Sequence, residues 1–423
     1  MKAIVVSFDR LNASLLGCYG NQEIPTPHWD RLASESVVFD QHFGENFDPQ
    51  ARNHAWWTGC YVFPRSAQSQ ARLPGLIRLL REAGVQTHLI RQRTSRVAAL
   101  AGTAFQTVDE VGREQDASMG PTSLEQKELE AVVNRSVRRW QDLISDGAEH
   151  ALMWIAFSGL PDPQPPEPTG CESAERTLAS SWETDMLQPA VRGIDEVIGR
   201  LREELWHGAR GDAPVLWILT AAAGTVWPEV TAFGEVSLTL NESLTHTPLL
   251  VSGPAGERQR GRVQELVQTV DLGPSLLEWF DLPVRAELEG RSWLPLVRAE
   301  PVDWRDSIYL GFDCQETAVR TRAFYLVCPD AERWLRDSPG TDGAQCPETT
   351  DPDQTQPAVP DRSESDDSEC RCRLFVKPDD IWNVNDVADQ SPDDVVRLRD
   401  QLRRFVVAAQ SGNPTASLET QRS

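Results

Sequence analysis

A mostly parallel α/β sheet sandwiched by helices, with a small antiparallel subdomain at the C-terminal end, is the fold class this sequence predicts from three observations. Short, nearly continuous apolar runs recur at residues 3–8, 85–90, 151–157, 215–219 and 247–252, the pattern of strands buried on both faces. Segments of helical spacing lie between them, at 73–82, 124–143, 183–205 and 263–280, and strand alternating with helix argues for a parallel sheet covered on both sides. Beyond about residue 300 the alternation stops, and short extended segments at 307–311, 318–321, 323–327 and 373–376 replace it.

Each element has a local reason. The first apolar run is too short for the core of a secretion signal and leads into the carboxylate of Asp9, so it reads as a buried strand. Thr26 followed by Pro27 reads as a helix start, with the threonine as N-cap and the fixed φ of proline at the first helical position. Ligands of open α/β sheets sit at the carboxyl ends of the strands, and Asp9, Ser158 and Thr220 each follow a strand and are expected to look into one crevice there. Residues 338–368 are Asp, Glu, Pro, Thr, Gln and Ser with almost no apolar side chain, too little to offset the entropy of ordering, so a disordered acidic insertion is expected. A closing helix at 393–408 carries Val396, Leu398, Leu402, Phe405 and Val406 on or near one face. The resulting division is an α/β domain over 1–300 and a C-terminal subdomain with its closing helix over 301–423.

Composition narrows the partners. The chain has 423 residues, 40% hydrophobic and 25% charged, with a formal charge of -23 that opposes nucleic acid and anionic membranes. No apolar run reaches the length of about 18 residues that spans a bilayer. Lysine occurs only at Lys2, Lys127 and Lys377, arginine carrying the rest of the positive charge. The eight cysteines form no CxxC pair, which points to free buried thiols and a cytoplasmic location. In an oxidising compartment Cys328, Cys346, Cys370 and Cys372 are the residues able to pair.

The run DRLNASLLGCYGN from Asp9 to Asn21, followed by TPHWDRLA from Thr26 to Ala33, resembles the opening of sulfatases of the alkaline-phosphatase superfamily. There a strand ends in a metal-binding aspartate, followed by LGCYGN and then TPNLDRLA at a helix start. The likeness continues through TGCY at Thr58, PLLVSGP at Pro248, VDLGPSLL at Val270 and LEGRSWLP at Leu288. Near the end AVRT at Ala318 and FYLV at Phe324 are similar to the family's AVRT and YKLI, and LF at Leu374 with NVNDVA at Asn383 to its ELYDL and EVNNLA. The resemblance therefore extends from about residue 1 to about residue 410.

It implies hydrolysis of a sulfate ester by a formylglycine made from cysteine or serine, beside a hard divalent cation such as Ca or Mg held by carboxylate and amide oxygens. Position by position, most of that equipment is replaced. Asp9 stands at the first metal position, and Arg10 beside it is placed to pair with it in the cation's stead. The nucleophile position falls on Pro49 and the arginine of its motif on Asn53, or on Asp48 and Arg52 with one residue of slippage. The second metal motif, SDHG in the family, falls on Ala221, Ala222, Ala223 and Gly224, and two methyl groups bind no cation. The family's GKWH lysine and histidine fall on Gln92 and Thr94, and its late lysine is missing.

No cofactor is expected, and the leading reading is a sulfatase-like protein without sulfuric ester hydrolase activity, kept as a scaffold, anion-binding or partner-binding module. Arg10, Arg91 and Arg93 are the candidate anion ligands, and Asp9 is a vestigial metal ligand. The alternative is a diverged hydrolase of sulfate or phosphate esters with a site rebuilt from Asp9, Asp48, Arg52 and His54. A third reading is a subunit that stabilises an active paralogous sulfatase. Of His42, His54 and His88, which could suggest a relocated metal site, His88 reads as a hydrogen-bonded core residue and His54 as a candidate to line a pocket; the tryptophans read mostly as core or cover, with Trp56 and Trp57 as candidates to stack on a ring.

Overall fold

The computed structural model describes residues 1–47, 53–63, 75–95, 104–112, 126–160, 186–206, 214–225, 240–253, 260–312, 316–329 and 371–410. Its strands are β1 (Lys2–Arg10), β2 (Val37–Phe39), β3 (His42–Phe43), β4 (Gln86–Gln92), β5 (Thr107–Val111), β6 (Ala151–Gly159), β7 (Val215–Ala223), β8 (Leu249–Ser252), β9 (Gly261–Val263) and β10 (Val267–Gln268). Eight of these make one sheet in the order β5-β4-β6-β1-β7-β8-β2-β9. The run from β5 to β7 is parallel, β8 enters antiparallel, and the fold class expected from the runs is the one observed.

Continuous apolar strands are what such a sheet requires, because alternate side chains enter two different cores. Ala3 and Val5 of β1 join Leu152 and Trp154 of β6 on one face, under α2 (His54–Thr58), α3 (Leu76–Glu82) and α7 (Leu272–Trp279). Ile4, Val6 and Phe8 join Met153 and Ile155 on the other, under α1 (Pro27–Ala33), α4 (Gln126–Ser145) and α5 (Gln188–Leu201). Of two short helices, α8 (Leu294–Val297) joins the first of these cores, and α6 (Glu242–Thr245) places Leu244 in a separate cluster with Phe43 and Ile308.

The C-terminal part is an antiparallel sheet in the order β11 (Ser307–Phe312), β12 (Glu316–Thr321), β13 (Phe324–Pro329), β14 (Arg373–Val376), closed by α9 (Pro392–Gln410). Leu398, Leu402, Phe405 and Val406 are buried there, and the Phe405 ring stacks on Tyr309 with centroids 3.8 Å apart. Val396 is exposed instead, one position off the buried stripe.

Several expectations are corrected. The 263–280 segment is not one helix: β9 and β10 come first, and α7 starts only at Leu272. The Asp271 carboxylate fixes that turn by accepting from the backbone N–H groups of Gln268 and Arg291, both at 2.8 Å, and from the buried Arg305 at 2.5 Å. Thr26 does not cap α1 with its side chain; its Oγ1 accepts from Gly17 N, and Asp195 of α5 receives His28 N and Trp29 N instead. Cys328 and Cys372 are disulfide-bonded rather than free, while Cys18 and Cys60 remain thiols. Among the described residues no helix is long and apolar enough to cross a membrane. The acidic stretch 338–368 lies outside the described residues.

Candidate functional site

The carboxyl ends of β4, β6, β1 and β7 lie side by side, so the parallel register brings Asp9, Gln92, Ser158 and the alanines of β7 to one edge of the sheet. All three of the expected post-strand residues in fact lie inside strands, β1 running through Asp9 to Arg10. β6 runs through Ser158 to Gly159, and β7 runs through Thr220 to Ala223, where Ala223 pairs with Arg10. The tripeptide Ala221 to Ala223 is thus a fully buried end of strand, presenting methyl groups and spent backbone.

Asp9 is buried, and its Oδ1 accepts a hydrogen bond from Ser95 Oγ at 3.1 Å. Gln92, at the family's lysine position, is also buried. Its Oε1 accepts from Ser158 N at 3.2 Å and Ser158 Oγ at 3.0 Å, while its Nε2 faces Glu128 Oε2 at 3.4 Å. A neutral amide bridges β4 to β6 where a lysine would have brought a charge to a substrate anion. Asn12, just beyond β1, accepts from Thr225 N at 2.8 Å and donates to the carbonyls of Thr225 and Ser243 at 2.9 and 2.7 Å. Close backbone approach here demands glycine: a Cβ on Gly224 would stand 1.9 Å from the Ser243 carbonyl, and one on Gly159 would stand 2.1 Å from that of Arg10.

The expected arginines have other employment. Arg10 Nε donates to the Leu160 carbonyl at 2.8 Å, tying β1 to the end of β6. Arg91 pairs with Glu110 of the neighbouring strand and donates to the Ser95 carbonyl at 3.0 Å, and Arg93 lies 3.8 Å from the same Glu110 carboxylate. Glu110 is held below the usual carboxylate range, first by its hydrogen bond from Arg91. Asp48, Pro49 and Arg52 lie outside the described residues, and His54 opens α2, its carbonyl accepting from Thr58 Oγ1 at 2.9 Å. Trp56 and Trp57 are core residues, not a stacking platform, since both pack on Trp154 with centroids 5.7 and 4.3 Å away. His88 sits in the core as expected, its Nδ1 2.7 Å from Thr107 Oγ1.

The divalent cation implied by the resemblance does not fit this set of side chains. Hard cations need several convergent oxygens. Here the Asp9 carboxylate receives a hydroxyl, the end of β7 offers methyl carbon, and among the described residues no three Asp, Glu, His or Cys side chains converge in a way that would hold a metal. Two residues at this sheet edge are not among the expected site residues: Ser95, outside any motif, and Asn12, inside the run from Asp9 to Asn21. The clue for Ser95 is its place one residue past Thr94, where a turn closed by Ser95 N on the Gln92 carbonyl at 2.9 Å brings it back over β1.

Comparison with known proteins agrees with the fold and the motifs. The sulfatase family model matches residues 2–282, and a model of the C-terminal part of N-sulphoglucosamine sulphohydrolase matches 235–330. Human N-sulphoglucosamine sulphohydrolase is 25% identical over 344 residues, 68% of this chain and 64% of the human protein, so the match spans a little under two thirds of that relative. The multifunctional alkaline phosphatase superfamily protein PehA of Trinickia caryophylli is 26% identical over 125 residues, 29% of this chain and 24% of that protein. Among solved structures, an enzyme in complex with its substrate D-glucosamine-2-N,6-O-disulfate superposes with a TM-score of 0.67 at 13% identity, covering 97% of this chain and 98% of that one. The phosphonate monoester hydrolase of Agrobacterium radiobacter gives 0.65 at 14% identity, covering 95% and 94%. With a family model matched over most of its length, the chain belongs to the sulfatase family.

Proposed function

We propose that this chain is a sulfatase-family protein that does not hydrolyse sulfate esters and acts through binding a partner. One observation carries the reading: at the sheet edge where the resemblance puts a cation, the Asp9 carboxylate accepts from Ser95 and the paired strand ends in Ala222 and Ala223. Losing adjacent ligands to alanine removes both the charge and the geometry of a metal site. The loss of the lysine at Gln92 removes a further source of transition-state stabilisation, each such group being worth factors of about 10² or more. Arg91 and Arg93 already share the Glu110 carboxylate, which favours a protein partner, such as a paralogous sulfatase, over a free anion. The Cys328–Cys372 bond argues for an oxidising compartment rather than the cytoplasm.

The test is an arylsulfate and phosphodiester assay on protein equilibrated with calcium, magnesium, manganese and zinc, with elemental analysis of the same sample. Background turnover and less than stoichiometric metal are expected. Turnover that disappears in Asp9→Ala, together with one equivalent of metal, would establish the rebuilt hydrolase instead.

A further inference from the structure

The loop that follows β14 holds large apolar side chains in water on a frame built around a buried ammonium group. Ile381, Trp382 and Val384 are 49, 59 and 80% exposed, and Val376 at the end of β14 is 38% exposed. Single exposed apolar residues are ordinary on a protein surface, but such grouping within one short loop is not. The loop is also fixed in place. Lys377 Nζ, fully buried, donates to Asn383 Oδ1 at 2.6 Å, to the Asp380 carbonyl and to Glu242 of α6. The two oxygens of the Asp380 carboxylate receive Val384 N and Asn385 N, each at 2.9 Å, and Asn383 takes the left-handed conformation at φ 55°.

Three donors of a tetrahedral ammonium thus meet three acceptors, an arrangement that the planar fork of arginine does not match. That is a physical reason for a chain that uses arginine nearly everywhere to keep a lysine at this position. Burying a charge and exposing apolar surface both work against the stability of the isolated chain. What the arrangement achieves is to present Ile381, Trp382 and Val384 in one conformation, and a preorganised aromatic anchor flanked by aliphatic side chains is the usual centre of a protein interface.

We propose that this loop docks a partner protein that offers an apolar pocket with a basic rim. The proposal rests on the non-catalytic reading above and names the chemistry of the partner. Exposed Asp379 and Asp386 flank the apolar group, Asp389 being paired with Arg371, so its electrostatic complement is basic. A second copy related by two-fold symmetry would bring the same carboxylates together, and an anionic bilayer would meet the same repulsion.

The experiment places a photoreactive benzoylphenylalanine at position 384 of the full chain in its own cells, followed by purification of whatever protein is cross-linked. Titration of that protein with wild-type chain and with Trp382→Ala is expected to show at least a tenfold loss of affinity. Asp379→Asn and added salt should each weaken binding, and Lys377→Met should do so where it remains folded. Absence of a cross-linked protein, a cross-link to a second copy with dimers in light scattering, equal affinity of Trp382→Ala, or uptake of the chain by neutral phosphatidylcholine vesicles would overturn the proposal. Arylsulfate turnover is measured on the same two proteins: turnover by both sinks the non-catalytic reading alone, while the affinity ratio decides the docking surface.

Discussion

Fully buried, His42 has its Nδ1 3.2 Å from the Thr247 carbonyl and 2.9 Å from Thr247 Oγ1. Burial pushes its pKa down to about 3, the Thr247 carbonyl opposing that shift and neighbouring His246 adding to it. His246 is also lowered, by burial above all, with Glu242 and the Asp40 carbonyl opposing and Arg320 assisting. A histidine held neutral in the fold takes up a proton more readily when unfolded, where its pKa is about 6.5. Its contribution to stability is therefore complete above that value and is lost as pH falls towards 3. We predict that unfolding free energy from urea titration drops by about 2 kcal/mol more between pH 7 and pH 5 in the wild-type chain than in His42→Gln. Equal pH dependence in the two would show that His42 is not held neutral. At this scale the sequence revealed departures from the family's motifs more readily than the contacts that the substituted residues make. Gln92 and the alanines are found by counting from motifs, whereas Ser95 reaches Asp9 only because a turn redirects the chain after β4. Trp56 and Trp57 were ambiguous for a related reason, since nothing in spacing tells a ring packed on Trp154 from one lining a cleft.

The disulfide between Cys328 and Cys372 joins β13 to the residue entering β14, one step beyond the pair Val327 and Arg373. It closes a chain segment with a sequence separation of 44, so removing it frees a long loop in the unfolded ensemble. Loop-closure entropy puts that at roughly 4 kcal/mol. The double variant Cys328→Ala and Cys372→Ala, or wild-type chain in excess reductant, should unfold at a lower urea concentration by an amount reflecting that loss. A midpoint unmoved by reductant would mean the bond is absent in solution. Element types were mostly legible, because doubly buried strands and one-sided helices leave different patterns. The failures share a cause in hydrogen bonds that reach in from distant elements. Asp195 of α5 supplies the cap that Thr26 was expected to give α1, and Asp271 with Arg305 starts α7 late and leaves β9 and β10 before it. Asp195 lies far from α1 in sequence, and Asp271, which immediately precedes α7, is itself held by Arg291 and Arg305 from beyond that helix.

Across the whole molecule, a charge of -23 on one chain means that the folded state works against its own field. Screening shortens the range of that repulsion from about 30 Å at 0.01 M salt to about 3 Å at 1 M, so the thermal midpoint should rise with sodium chloride over this range. The same titration separates general screening from a resident cation. A site occupied at a thousand times its dissociation constant would add about 4.1 kcal/mol on top of screening, with saturation and with selectivity between calcium and magnesium. On the non-catalytic reading, a chain whose Asp9 is engaged by Ser95 and whose β7 ends in alanines is expected to lack such a term. Calcium and magnesium chloride at matched ionic strength should therefore raise the midpoint alike and without saturating. A steep, saturable rise with calcium alone, abolished in Asp9→Asn, would place a cation in the crevice and return the hydrolase reading to consideration.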